Sequence, residues 1–217
     1  MSSRRRDFIK RVVAFAFVGL AASAAAQNRP VILIVGDSLS AEYGLPRGSG
    51  WVALLEKKLA EERIAATVVN ASISGDTTAG GRSRLPALLA QHKPAIVVIE
   101  LGGNDALRGL PLSMTTERLA EMTRAAKQAG AKVMLLGMQV PPNYGRQYNE
   151  DFAAAYAKVA KAEGATLMPF FLKGVADTPK AAELFQNDRI HPNEKAHPLI
   201  LANVWPLLRP LLPSSAR

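Results

Sequence analysis

From residue 30 onward, short apolar runs alternate with longer segments patterned at a helical period, and this alternation restricts the fold more than any other feature of the chain. Val31-Ile32-Leu33-Ile34-Val35 has no polar position on either face and stops at Gly36, which predicts a strand buried on both sides. Thr67-Val68-Val69, Ala95 to Leu101, Lys132 to Gly137 and Thr166 to Phe170 read as four more strands. Between them lie amphipathic stretches. In Trp51 to Ile64, the residues Trp51, Leu54, Leu55 and Leu59 fall on one stripe, while Glu56, Lys57, Lys58 and Glu62 face water. Asp76 to Gln91 is expected to be helical after its first turn, with Leu85, Leu88 and Leu89 inward. Thr115 or Thr116 is the expected cap of a helix ending near Gln128 and stopped by Gly130. Glu150 to Glu163 and Glu194 to Leu208 complete the set, with Pro141 to Gly145 as loop. Strands alternating with helices require a parallel sheet, and right-handed crossovers place helices on both faces. The expected fold class is therefore α/β, a three-layer α/β/α sandwich. At 217 residues and 48% hydrophobic, one such domain has enough apolar material for a core.

The first 26 residues do not fit that pattern. MSSRRRDFIK is basic, Val12 to Ala22 is apolar, and Ala24-Ala25-Ala26 follows. Basic start, apolar middle and small-residue end are the features of a cleavable export signal. Arg5-Arg6-Asp7-Phe8-Ile9-Lys10 resembles a twin-arginine leader, whose cargo crosses the membrane already folded. Eleven helical residues at 1.5 Å each do not span a hydrocarbon core of about 30 Å. The expected organisation is a signal peptide over residues 1–26 and one domain over 27–217, periplasmic or secreted. Cleavage takes the net charge from +9 to +5, with 22 basic residues against 17 acidic ones. That balance, without a long Lys/Arg run, gives no support for a nucleic-acid partner. It leaves a mild attraction to anionic lipid surfaces.

Cysteine is absent, which excludes disulfides, a thiolate nucleophile and Cys-based zinc sites. With only His92, His191 and His197 available, no metal site is expected. Glu42, Glu100 and Asp105 form no recognisable carboxylate pair. The chemistry lies at strand ends. Ser38 follows the first strand in Gly36-Asp37-Ser38-Leu39-Ser40, at the carboxyl end of the sheet, where open α/β folds bind ligands. It reads either as a nucleophile or as a turn serine, with Asp37 as another turn former. Gly75 follows the second strand, and its bare N–H is a candidate hydrogen-bond donor. Asn104 follows the third in Gly102-Gly103-Asn104-Asp105, and its amide is a second candidate. Each loop alone also reads as an ordinary turn. Asp188 and His191 are three residues apart near the C-terminus, a spacing that lets one turn put carboxylate and imidazole on the same side. His197 lacks such a carboxylate, and it and His92 are expected at the surface.

In this order, the blocks Gly36-Asp37-Ser38-Leu39-Ser40, Gly75, Gly102-Gly103-Asn104-Asp105 and Asp188-Arg189-Ile190-His191 resemble the GDSL, or SGNH, hydrolases, from about Val31 to Leu208. Val69 to Thr77, Leu85 to Leu89 and Pro142 to Arg146 are similar to the branch of periplasmic multifunctional thioesterase / protease / lysophospholipases, or arylesterases. The resemblance implies a five-stranded parallel sheet of flavodoxin-like order. It implies Ser38 as nucleophile, His191 as base then acid, Asp188 as its orienting carboxylate, and an oxyanion hole from the Ser38 and Gly75 N–H groups and the Asn104 side chain. It implies acyl esters, lysophospholipids and thioesters as substrates, and no cofactor. Loop residues Leu110, Pro141 and Tyr144 are the expected walls of an acyl groove. A polysaccharide O-deacetylase and a non-catalytic exported lipid-binding protein are the competing readings. A monomer is expected.

Overall fold

The computed structural model describes residues 29–213. The expected signal peptide, residues 1–26, lies outside them. The chain runs β1 (Val31–Gly36), α1 (Trp51–Glu61), β2 (Thr67–Asn70), α2 (Thr78–His92), β3 (Ile96–Glu100), α3 (Gly103–Leu107), α4 (Leu112–Gln128), β4 (Lys132–Leu136), α5 (Arg146–Glu163), β5 (Thr166–Met168), α6 (Ala181–Leu184) and α7 (His197–Leu208). The five strands are parallel, in the order β2-β1-β3-β4-β5. The order reverses between β1 and β3. With right-handed crossovers, α1 then falls on one face and α2, α4 and α5 on the other. The helix contacts agree: α1 packs on α7, while α4 packs on both α2 and α5. The result is the expected three-layer sandwich.

The core follows from strands that carry apolar side chains on both faces. Ile32 to Val35 and Ile96 to Ile99 are fully buried, each of these side chains contributing about 1.5–3 kcal/mol over the exposed state. Trp51 closes the α1 side, edge-on to Phe171 at 5.7 Å.

Several local boundaries differ from the sequence-based expectation. Neither Thr115 nor Thr116 caps α4, which starts at Leu112 behind Pro111. Their hydroxyls are engaged otherwise, Thr116 donating back to the Leu112 carbonyl of its own helix at 2.7 Å and the buried Thr115 to Asp105 at 3.4 Å. Pro111 fits this boundary because it requires no hydrogen-bonded N–H there. Helix α5 begins at Arg146, a full turn before Glu150, and one 3₁₀ turn occupies Pro142–Tyr144. The closing segment starts as a 3₁₀ turn over Glu194–Ala196, so Pro198 meets α7 in its first turn, where a missing N–H costs nothing. Leu54 and Leu88 are only half-buried, and α3 and α6 have no counterpart among the expected elements.

Candidate active site

Ser38, Gly75 and Asn104 all follow the carboxyl ends of adjacent strands, and the sheet order β2-β1-β3 brings these three loops side by side. Arg84 fastens two of them. Its guanidinium pairs with Asp76 at 2.8 Å and donates to the Gly36 carbonyl at 3.3 Å and to the Ala71 carbonyl. Gly75 takes a left-handed conformation (φ +78°) that favours glycine, and Arg108 pins its carbonyl at 2.8 Å. Gly102 (φ +118°) turns the chain from β3 into α3, and a Cβ there would lie 2.3 Å from the Tyr156 hydroxyl. That hydroxyl donates to the Leu101 carbonyl at 2.9 Å, so the turn carrying Asn104 is fixed from below.

The fourth loop, from the far end of the chain, is closed by an antiparallel bridge between Phe185 and Pro192. Inside it Asp188 accepts the backbone N–H groups of Ile190 (2.9 Å) and His191 (3.0 Å) on one carboxylate oxygen. The other oxygen lies 2.7 Å from His191 Nδ1. This explains the three-residue spacing: one side chain builds the turn and holds the imidazole. Desolvation pushes the Asp188 carboxyl upward. The His191 N–H, the His191 ring and the Ile190 N–H together outweigh it and bring its pKa down to about 2. On the opposite side of the ring, His191 Nε2 lies 2.9 Å from Ser38 Oγ. The Tyr43 ring stacks obliquely on the imidazole, with centroids 4.3 Å apart. Ser38, Asp188 and His191 thus form one continuous hydrogen-bonded line.

Among the described residues, neither the Ser38 N–H nor the Gly75 N–H donates to a protein acceptor. Both remain available for a ligand oxygen. The Asn104 amide is engaged: its Nδ2 donates to Asp37 Oδ2 at 3.0 Å and to the Asp76 carbonyl at 2.9 Å. Asp37 is not simply a turn former. It is buried and packed against the equally buried Glu100, so the chain does contain a carboxylate pair, contrary to the sequence reading. Of the expected walls, none is tied to the Ser38 line. Leu110 is half-buried, Pro141 is exposed, and Tyr144 leans on Tyr148 at 6.1 Å between ring centroids. None of the three touches Ser38 or His191 through a ring contact or hydrogen bond. Two surface depressions, one beside Arg47 and Lys57 and one beside Arg146 and Asn149, do not include Ser38.

His197 is buried rather than at the surface, and His92 is half-buried. The Trp51 N–H donates to His197 Nδ1 at 3.0 Å, which leaves the hydrogen on Nε2, facing the Pro192 carbonyl without a full hydrogen bond. The ring ties the start of α1 to the residue after His191. Burial lowers its pKa, against the pull of the Pro192 carbonyl and the Glu42 charge. The unfolded chain therefore takes up this proton first. The contribution to stability is complete above the unfolded value of about 6.5 and falls as pH drops through it toward the lower folded value. His197→Asn keeps an acceptor for Trp51 but cannot titrate. Its Tm is expected to fall less than that of the unmodified protein between about pH 7.5 and about pH 5.5, and parallel curves would exclude this role.

A hydroxyl, an imidazole and a carboxylate in line, beside two unpaired backbone donors, form a constellation for acyl transfer. Comparison with known proteins agrees. The chain is 55% identical over 197 residues to "Esterase TesA" of Pseudomonas aeruginosa, covering 91% of this chain and 95% of that protein. It is 45% identical over 181 residues to "Thioesterase 1/protease 1/lysophospholipase L1" of Escherichia coli, covering 83% and 84%. A crystal structure of TesA superposes with a TM-score of 0.81 at 55% identity, over 84% of this chain and 99% of that one. Residues 34–199 match the GDSL-like lipase/acylhydrolase family, and these residues hold every group of the Ser38 line and its donors. The chain belongs to that family.

Proposed function

We propose that Ser38, His191 and Asp188 carry out the carboxylic ester hydrolysis of this family through an acyl-enzyme. The observation that carries the reading is the Ser38–His191–Asp188 line, with contacts of 2.9 and 2.7 Å. His191 Nε2 takes the Ser38 proton as Oγ attacks the acyl carbonyl. The developing imidazolium is held by the ionised Asp188. The carbonyl oxygen, now an anion, receives the Ser38 and Gly75 N–H groups. It also receives the Asn104 hydrogen that the Asp76 carbonyl holds in the free protein. His191 then returns the proton to the leaving alkoxide or thiolate. Water, activated by the same ring, releases the acid.

The substrates proposed are aryl esters, lysophospholipids and acyl thioesters, in line with the names of the relatives. Tyr43, Ile73, Leu107 and Ile190 are exposed apolar side chains on the segments that carry Ser38, Gly75, Asn104 and His191. We place the acyl chain of the substrate over this apolar surface, beside the expected walls Leu110, Pro141 and Tyr144. Removal of residues 1–26 before the protein acts outside the cytoplasm is part of this proposal, as are a monomeric state and brief contact with lipid surfaces. The test is an acyl-length series of p-nitrophenyl esters, a lysophospholipid and an acyl thioester on purified residues 27–217. Hydrolysis of all three classes is expected. Release of acetate from acetylated polysaccharide with no action on longer chains would replace the proposal by a deacetylase.

A further inference from the structure

Directly beneath Ser38 sit two carboxylates to which the reaction as described assigns no part. Asp37 is 3% exposed and Glu100 is fully buried. Glu100 Oε2 accepts the Asp37 N–H at 3.2 Å and the Ser40 hydroxyl at 2.8 Å, and that hydroxyl accepts the Trp51 indole N–H at 3.1 Å. Glu100 Oε1, equally buried, receives no hydrogen bond. The Asp37 N–H brings the two carboxylates close together, each in the field of the other. Among the described residues no ion pair reaches either carboxylate: Arg84 is spent on Asp76 and two carbonyls, and the neutral Tyr156 hydroxyl on the Leu101 carbonyl. Two adjacent anions in so dry a place are not sustainable, so the pair keeps one proton. Asp37 has a donor on each oxygen, Leu39 N–H at 3.0 Å and Asn104 Nδ2 at 3.0 Å. Glu100 has one oxygen with none.

We infer that Asp37 and Glu100 share one proton, carried by Glu100, and that the Asp37 carboxylate is the positioning group that holds the Asn104 amide ready for the oxyanion. The positioning half rests on the proposed acyl transfer; the shared proton does not. Burial and the neighbouring Asp37 charge both push Glu100 well above the usual carboxylate range, in agreement with this assignment. A carboxylate can only accept, so it fixes Asn104 with Nδ2 inward and denies it the flipped orientation. If position 37 could donate, the amide could turn its oxygen toward the developing oxyanion, which repels it. Asp37 acts through Asn104 and does not touch substrate.

Two measurements test this. Infrared difference spectroscopy of the whole folded protein at neutral pH, Glu100→Gln against the unmodified chain, reads the proton without reference to activity. The expected result is one carbonyl band of a protonated carboxylic acid, lost in Glu100→Gln. Absence of that band, or its persistence in Glu100→Gln, overturns the shared proton. The second is a cycle of Asp37→Asn and Asn104→Ala on a p-nitrophenyl ester. Asp37→Asn is expected to lower kcat by about 10- to 100-fold, with KM within about twofold, and to cost less than about threefold more when Asn104 is already alanine. Equal losses in both backgrounds, or loss expressed in KM, overturn the positioning role. If Asp37→Asn does not fold, the infrared arm still decides the proton. Failure of the acyl-transfer reading is recognised separately, by full activity in Ser38→Ala.

Discussion

Ser38→Ala is expected to lower kcat by about 10⁶-fold, equivalent to roughly 8 kcal/mol of transition-state stabilisation, while the fold stays as it is. The size follows from what is lost. Without Oγ there is no acyl-enzyme, and His191 has no proton to take from a bound nucleophile. The backbone donors at Ser38 and Gly75 survive, so a residual rate above that of water alone remains. The fold is insulated because the Ser38 side chain is only half-buried and its one side-chain hydrogen bond runs to His191. Stability should change by less than about 1 kcal/mol. Turnover of a p-nitrophenyl ester, read beside thermal unfolding, checks both parts. Near-normal turnover in a folded variant would remove Ser38 from the chemistry.

Asp188→Asn is expected to cost about 10⁴-fold in kcat, the second largest effect. Asp188 has two tasks that a carboxylate performs together and a carboxamide cannot. One oxygen accepts the Ile190 and His191 N–H groups, and the other accepts from His191 Nδ1. If the asparagine oxygen serves the backbone, its NH₂ faces Nδ1 and forces the hydrogen onto Nε2, which then cannot accept from Ser38. If the amide turns over, two backbone donors face an NH₂ and the loop loses its closure. The same residue sets a pH expectation. Its pKa is held near 2, below the ordinary carboxylate value of about 3.9, so the stability it gives is complete above that ordinary value and is lost only as pH falls toward 2. Asp188 therefore stays ionised throughout mildly acidic solution. A variant with more than about a tenth of normal kcat would show that the carboxylate does not orient the ring.

The fold was legible because its central strands are buried on both faces. A run such as Val31 to Val35 has no alternative to the middle of a parallel sheet, and once three such runs are ordered, the loops after them must meet. That geometry made Ser38, Gly75 and Asn104 readable as neighbours, and the spacing of Asp188 and His191 is a local property of one turn. Contacts across long sequence separations left no such trace. The Asp37–Glu100 pair joins residues 63 apart, although a charged residue ending the apolar run Ile96 to Ile99 was a signal that it must be satisfied inside the core. His197 was misread for the same reason. Its partner, the Trp51 N–H, lies 146 residues away, and nothing in its own segment announces it. The α4 start was missed because two threonines suggested a cap while Pro111 had already supplied the boundary. Tyr43, against the His191 ring, carried no pattern at all.

Reaction of the purified protein with a fluorophosphonate, followed by peptide mass spectrometry, tests the central claim most directly. Activation of Ser38 by His191 predicts one adduct per chain, on Ser38, formed in step with the loss of esterase activity and absent from His191→Ala. An adduct on another residue, or an unlabelled Ser38 in a protein that has lost its activity, would contradict it.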